Sequence, residues 1–259
     1  MFEAHFKSAG LFKKIVDSIK DIINHANFVC TENGIEMQAM DSGHVCLVSL
    51  NLSKKGFTTY KCTETIALGI NFASLAKVLK CAEASDELTL KLDSSSEDTL
   101  QIVVKSSPTK KSEFSLNLLD IDAETMTIPD ADYPCIVSMS SSEFKKTIHD
   151  LSAFGESCSI MVDEGKIRFT VAGDDGKSSV EHAKNDSKKD DEELIIDISS
   201  DISQQFSVKY LSSFTKGSCL TSRMELYISN DMPLVCEYAM MGISLKYFLA
   251  PKLDGSDEE

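Results

Sequence analysis

Leu118-Leu119-Asp120-Ile121-Asp122-Ala123-Glu124-Thr125-Met126-Thr127-Ile128-Pro129-Asp130-Ala131-Asp132-Tyr133-Pro134 separates two halves of the chain that echo each other. The stretch carries Asp120, Asp122, Glu124, Asp130 and Asp132, with apolar Ile121, Met126 and Ile128 between them. Pro129 and Pro134 fix φ and withhold a backbone donor, so no long helix runs through. Neither a helical period nor strict alternation fits. A solvated connector with a few apolar anchors fits both observations.

The echo is the reason to call it a joint. Phe12-Lys13-Lys14 returns as Phe144-Lys145-Lys146, an offset of 132, and Ile15-Val16 faces Thr147-Ile148 at the same offset. Ile35-Glu36-Met37-Gln38-Ala39-Met40 then faces Ile167-Arg168-Phe169-Thr170-Val171-Ala172. Later the offset grows. Phe72 is matched to Tyr210 and Leu88-Thr89-Leu90 to Leu226-Tyr227-Ile228, an offset of 138, with the six extra residues assigned to the polar run from Ala183 to Glu193. A repeat with the period of a whole domain implies two similar folded units, not a solenoid. The expected organisation is an N-terminal domain over 1–117, a connector over 118–134 and a C-terminal domain over 135–259.

A chain of 259 residues with 42% apolar content can bury two cores of ordinary size. Its start, MFEAHFKSAG, has no apolar signal-peptide core, and no apolar run reaches the ~20 residues of a membrane helix. Eight cysteines are spread without a C-x-x-C pair, which reads as reduced thiols in cytosol or nucleus. No cofactor and no metal site is expected. The net charge of −15 argues against nucleic acid only as a sum; where the charges sit matters more.

Alternation marks strands at 2–6, 27–30, 35–40, 45–52, 58–62, 65–70, 88–92, 100–104 and 112–118, then at 135–139, 159–162, 167–171, 178–182, 194–198, 224–229, 234–238 and 243–249. Asn33-Gly34 is a hairpin signal and Asp41-Ser42-Gly43 a second turn. Helical periodicity runs from Ser8 or Ala9 to about His25, from Ala73 to Cys81, from Ser141 to Phe154 and from Val208 to Lys216. The fold class is α+β, each half holding two helices on antiparallel sheet.

Each helix hides one apolar face and shows lysines beside it: Lys13, Lys14 and Lys20; Lys77 and Lys80; Lys145, Lys146 and His149; Lys209 and Lys216. The acids gather in loops, in the joint and in the tail. Lysine on a helix is ordinarily a solvated, helix-favouring residue. Four helices in equivalent places can instead build one cationic surface that tracks phosphates without reading sequence. Arginine, the usual reader of guanine, is limited to Arg168 and Arg223.

Three stretches carry a resemblance. Gln38-Ala39-Met40-Asp41-Ser42-Gly43-His44-Val45-Cys46-Leu47-Val48-Ser49-Leu50, Ser115 to Asp122 (SLNLLDID) and Tyr247-Phe248-Leu249-Ala250-Pro251-Lys252 are similar to segments of the proliferating cell nuclear antigen family, the eukaryotic sliding clamps. The similarity runs end to end. It implies a DNA-clamp fold of two similar domains, closed in a homotrimer as a six-domain ring with helices lining the hole. Such a ring is not an enzyme. It encircles double-stranded DNA without regard to sequence in the nucleus, and is a processivity factor in DNA replication and DNA repair. It tethers DNA polymerase delta, flap endonuclease, DNA ligase and the clamp loader through short PIP-box peptides; no membrane is involved.

Carried over by position, the resemblance implies a DNA-facing set of Lys13, Lys14, Lys20, Lys77, Lys80, Lys146, His149, Lys209, Lys216 and Lys252. It implies a partner-peptide pocket of Met40, His44, Val45, Leu47, Met126, Ile128, Pro129, Pro233, Leu234, Phe248, Ala250 and Pro251. Without it, Met40, Leu47 and Phe248 read as ordinary core and His44 as a turn residue. It implies subunit contact between Lys110–Asn117 and roughly Asp174–His182, with Lys110, Phe114, Asp174 and Glu181 at the interface. The chain departs from the family pattern at Glu164, where a lysine used for ubiquitin attachment is common, at Ala153 in place of a pore histidine, and at Met126 in place of leucine.

Three other readings compete. An enzyme would want a nucleophile or phosphate motif, and no G-x-S-x-G, P-loop, H-E-x-x-H or G-x-G-x-x-G is present. A subunit of a heterotrimeric checkpoint-type clamp would diverge in the connector and pocket. An acidic scaffold that never meets DNA would leave the helix lysines without a role.

Overall fold

A computed structural model describes residues 1–93, 98–122, 132–163, 165–174, 176–184 and 193–252. The chain forms two compact units, Met1–Thr127 with Ala239–Leu245, and Ile128–Tyr238 with Lys246–Glu259. The first runs β1 (Phe2–Phe6), α1 (Ala9–Ile19), β2 (His25–Thr31), β3 (Gly34–Met40), β4 (Cys46–Ser53), β5 (Thr59–Cys62), β6 (Ile66–Asn71), α2 (Phe72–Leu79), β7 (Glu87–Leu92), β8 (Thr99–Ser107) and β9 (Lys110–Asn117). The chain then repeats that order as β10 (Cys135–Ser140), α3 (Ser141–Leu151), β11 (Ser157–Asp163), β12 (Lys166–Gly173), β13 (Gly176–Ala183), β14 (Ile195–Ile198), β15 (Ile202–Ser207), α4 (Val208–Phe214), β16 (Arg223–Ile228), β17 (Leu234–Met240) and β18 (Ile243–Leu249).

The repeat extends to sheet order. The first unit has the strand orders β5-β1-β7-β8-β9 and β4-β3-β2-β6; the second has β14-β10-β16-β17-β18 and β13-β12-β11-β15. The described pairs are antiparallel, as the hairpin spacing predicts. The fold is thus the α+β arrangement expected, with two similar units of two helices on antiparallel sheets.

Alternation explains the cores. Phe2, Ala4 and Phe6 of β1 are buried while Glu3 and His5 are half-exposed. The buried stripe of α1, Phe12, Ile15, Val16 and Ile19, lies over that strand and β2; Phe12 meets Phe6 at 4.9 Å and Phe28 at 6.5 Å between ring centres. In the second unit Phe144 of α3 meets Phe169 of β12 at 6.1 Å, and Phe214 stacks on Tyr247 at 4.6 Å. Truncating one such fully buried ring to alanine costs about 3–5 kcal/mol.

Four expectations need correction. The first helix stops at Ile19, not near His25: Ile22 and Ile23 bond the Ile19 carbonyl as a turn, and His25 opens β2. Ile23 is still buried, so the apolar stripe outruns the helix. α3 ends at Leu151, not Phe154; at Gly155 a Cβ would stand 2.7 Å from the Ala172 carbonyl oxygen. α4 tightens into a 3-10 turn at Thr215–Cys219, because Gly217 lies against Tyr238, whose ring carbons a Cβ would meet at 2.5 Å. Finally, β15 is a strand that the alternation pattern does not mark.

The second offset is 136, not 138: Phe72 and Val208 both open helices, and Leu88 and Met224 hold matching places opposite β1 and β10. The connection after β13 is six residues longer than that after β4, in the expected place. The turn before β13 is shorter than its counterpart before β4, which brings the net offset down. The longer turn of the first unit holds Asp41 to Val45.

Candidate functional site

The helices carry the positive charge. With their C-terminal caps and the 3-10 turn they hold nine lysines against three carboxylates, in a chain whose net charge is −15. α1 packs beside α2, and α3 beside α4 and its 3-10 turn. Lys14, Lys77 and Lys80 are exposed on the first pair, and Lys145, Lys146, His149, Lys209 and Lys216 on the second. Some of the expected cations are already engaged: Lys20 forms an ion pair with Asp17, and Lys13 Nζ donates to the Ala82 carbonyl at 3.4 Å.

Lys252 is placed elsewhere. Its Nζ donates to Ser157 Oγ at 2.5 Å and its N–H to the Gln205 carbonyl at 2.8 Å. Ser157 points away from the face of its sheet that α3 covers through Thr147–His182 and Phe144–Phe169. Lys252 is therefore parted from α3 and its lysines by a layer of sheet.

The turn between β3 and β4 is built around Asp41. Its buried carboxylate accepts from the N–H groups of Gly43 at 3.0 Å, Val45 at 2.9 Å and Cys46 at 2.7 Å. An aspartate that caps three amides holds an otherwise solvated turn in one shape. His44 sits there with φ of 53°, a left-handed conformation that few non-glycine residues adopt. Val45 is left 38% exposed. Met40 and Leu47 face each other across the hairpin and are half-buried, so neither is the core residue that pattern alone suggests.

Of the expected pocket positions in the second unit, Phe248 and Pro251 are half-buried, and Pro233 and Ala250 are exposed. Leu234, also among the expected pocket positions, is wholly buried. The Pro233 carbonyl accepts from Tyr133 Oη at 3.0 Å, and Tyr133 meets Tyr227 edge-on at 5.8 Å. Met126, Ile128, Pro129 and Glu164 lie outside the described residues.

The described start of the connector is fastened to the first unit. Leu118 N–H donates to the Asp98 carbonyl, Leu119 N–H to the Gly69 carbonyl at 2.8 Å, and Asn27 Nδ2 to the Ile121 carbonyl at 2.9 Å. The sequence pattern marks the connector but not Gly69, Asn27 or Asp41 as supports of this surface. Gly69 inside a strand is the available signal, because glycine there often marks a close backbone approach.

β9 and β13 are each the last strand of their sheet among the described residues. Each is eight residues long. Phe114 is half-buried on β9, opposite Ile102. Several charges near the expected subunit contact already have partners within the chain. Lys111 pairs with Glu113, and Glu181 with Arg168 and Lys166. The Arg168 guanidinium bonded to Glu181 holds its carboxyl below the usual range, as Lys111 does for Glu113.

The cysteines form no disulfide. Burial pushes the Cys46 and Cys158 thiols up to about 12 and Cys135 to about 11, so these stay protonated and unreactive.

Comparison with known proteins decides the family. The N-terminal domain profile of proliferating cell nuclear antigen matches residues 1–126, and its C-terminal domain profile matches residues 127–253. The chain belongs to the proliferating cell nuclear antigen family. It is 42% identical to proliferating cell nuclear antigen of Chaetomium thermophilum over 261 aligned positions, covering 100% of both chains. It is 40% identical to that of Caenorhabditis elegans, covering 99% of each. Family membership thus spans both repeated units and the connector between them.

Proposed function

We propose that this chain is a homotrimeric sliding clamp, a non-catalytic processivity factor that encircles duplex DNA in the nucleus. Family membership over the whole length supports the sliding-clamp role. The observation that carries the assembly is the pair of eight-residue edge strands, β9 and β13. Each presents a row of backbone groups to a partner strand. Joining β9 of one copy to β13 of the next is a head-to-tail contact, which closes into a ring when the rotation allows.

The lysines of the four helices form the DNA-facing surface. Such contacts hold phosphates loosely and leave the ring free to slide. The Asp41 turn, with Met40, His44, Val45 and Leu47, receives partner peptides together with Met126, Ile128, Pro129, Pro233, Phe248, Ala250 and Pro251. The clients are the replicative polymerase, flap endonuclease, ligase and clamp loader. A client held on the ring rebinds before it diffuses away, which is how a tether raises processivity.

The test is topological. Loaded by a clamp loader onto nicked circular DNA, the protein should stay bound through gel filtration at moderate salt and be lost when the circle is cut. Equal loss from circular and linear DNA would rule out encirclement.

A further inference from the structure

The two units differ chemically where their folds match. The sheet β13-β12-β11-β15 corresponds to β4-β3-β2-β6, and the registers agree residue by residue. Gly69 stands opposite Asn27 as Gln205 stands opposite Ser159, and Met40 opposite Leu47 as Ala172 opposite Lys177. In the first unit the chain itself lies against this sheet, fastened by Leu119 to Gly69 and by Asn27 to the Ile121 carbonyl. In the second unit the first fastening recurs, from Lys252 N–H to the Gln205 carbonyl.

An open cavity of about 510 Å³ lies on the second unit's sheet. Across it Gln205, Ser159, Thr170 and Ser179 stand in register on four adjacent strands. Thr170 and Ser179 are already 3.1 Å apart through their hydroxyls. This row can bond an extended backbone as Asn27 bonds that of Ile121. On one side of the row stands Lys177, on the other Arg168. Their counterparts in the first unit are Leu47 and Glu36, so an apolar residue and an acid have both become cations. Arg168 is already bonded to Glu181, so Lys177 is the cation on which the selection for acids rests. Among the described residues, no carboxylate lines the cavity.

We propose that this cavity receives an extended acidic peptide segment of a partner protein. The segment lies on the sheet as Leu118–Asp122, with Asp120 and Asp122, lies on that of the first unit. The charge change selects for acids, and the polar row holds the backbone. The test does not depend on ring closure.

The probe is a fluorescein-labelled peptide of alternating glutamate and serine, about eight residues long so that it spans the four strands. Its binding is read by fluorescence anisotropy at low salt. The wild-type protein should bind it. Lys177→Glu should weaken binding about tenfold or more, as expected for removing one charge-assisted hydrogen bond. Lys177→Arg should keep it, and Lys7→Glu, at an exposed lysine just after β1, should leave it unchanged. Circular dichroism melts confirm that each variant is folded. No binding by the wild type, wild-type affinity in Lys177→Glu, or an equal loss in Lys7→Glu would each overturn the proposal. Removing residues 253–259, which include Asp254, Asp257, Glu258 and Glu259, separates the remaining source of acid. Unchanged affinity supports an external partner. A tenfold gain would assign the cavity to the chain's own tail and overturn the partner assignment.

Discussion

Leu119 N–H donates to the Gly69 carbonyl at 2.8 Å, and a Cβ on Gly69 would stand 1.9 Å from the Leu119 carbonyl oxygen. The connector is thus fastened where glycine alone lets two backbones approach. Gly69→Ala must either lift the connector or deform β6. The expected cost is about 2 kcal/mol or more, in line with other forced backbone approaches. It is read as a lowered Tm together with weaker binding of a PIP-box peptide by calorimetry.

Asp41 organises the turn that carries His44 and Val45. Asp41→Ala removes the acceptor of three backbone amides, at 2.7 to 3.0 Å. Each amide left without a partner costs on the order of 1 kcal/mol. The turn lies at the surface, so the chain should still fold. Peptide affinity should fall more than stability does, and a calorimetric titration beside a thermal melt separates the two.

Reversing charge on α2 and α4, in Lys77→Glu with Lys80→Glu or in Lys209→Glu with Lys216→Glu, should weaken retention on DNA. The salt dependence of binding should flatten by roughly one unit of slope for each phosphate no longer neutralised. Solution mass and PIP-box affinity should not change. Unaltered DNA retention in both double variants would remove the helices from the DNA-facing surface.

His182 gives a pH dependence. Its Nε2 lies 2.8 Å from Thr147 Oγ1, and its ring is edge-on to Phe169. Burial lowers its pKa below the usual 6.5, against the opposing pull of Glu143. The folded state therefore resists protonation that the unfolded state accepts. Stability is full above the unfolded pKa and is lost as pH falls from there through the folded value. Between about pH 7.5 and pH 5.5, the wild type should lose more Tm than His182→Gln, which keeps a hydrogen-bonding group for Thr147.

Much of the fold is legible in the sequence because its signals are local. Alternation in β1, the stripe of α1 and the Asn33-Gly34 turn depend on neighbouring residues, and the repeat supplies the pairing of halves. The failures are tertiary. Ile22 and Ile23 continue the stripe of α1, yet burial continues past the helix end. β15 reads Ile-Ser-Gln-Gln-Phe-Ser, too polar to mark a strand by itself, because its outer face lines a cavity. The repeat is the signal that marks it, since β6 stands in the same place before α2. The turn residues of the partner surface are legible through the family resemblance. The buried Leu234 is not distinguishable there from the exposed Pro233 beside it. The supports of the surface, Asp41, Asn27 and Gly69, come from parts of the chain that only folding brings together.

The measurement that bears most directly on the clamp reading is solution mass by light scattering, on the wild type and on Phe114→Ala. The account predicts a wild-type particle of about three times the 28.5 kDa chain mass. It predicts that Phe114→Ala, still folded by circular dichroism, shifts towards the monomer by loosening β9. A wild type that remains a monomer at micromolar concentration would contradict the homotrimeric ring.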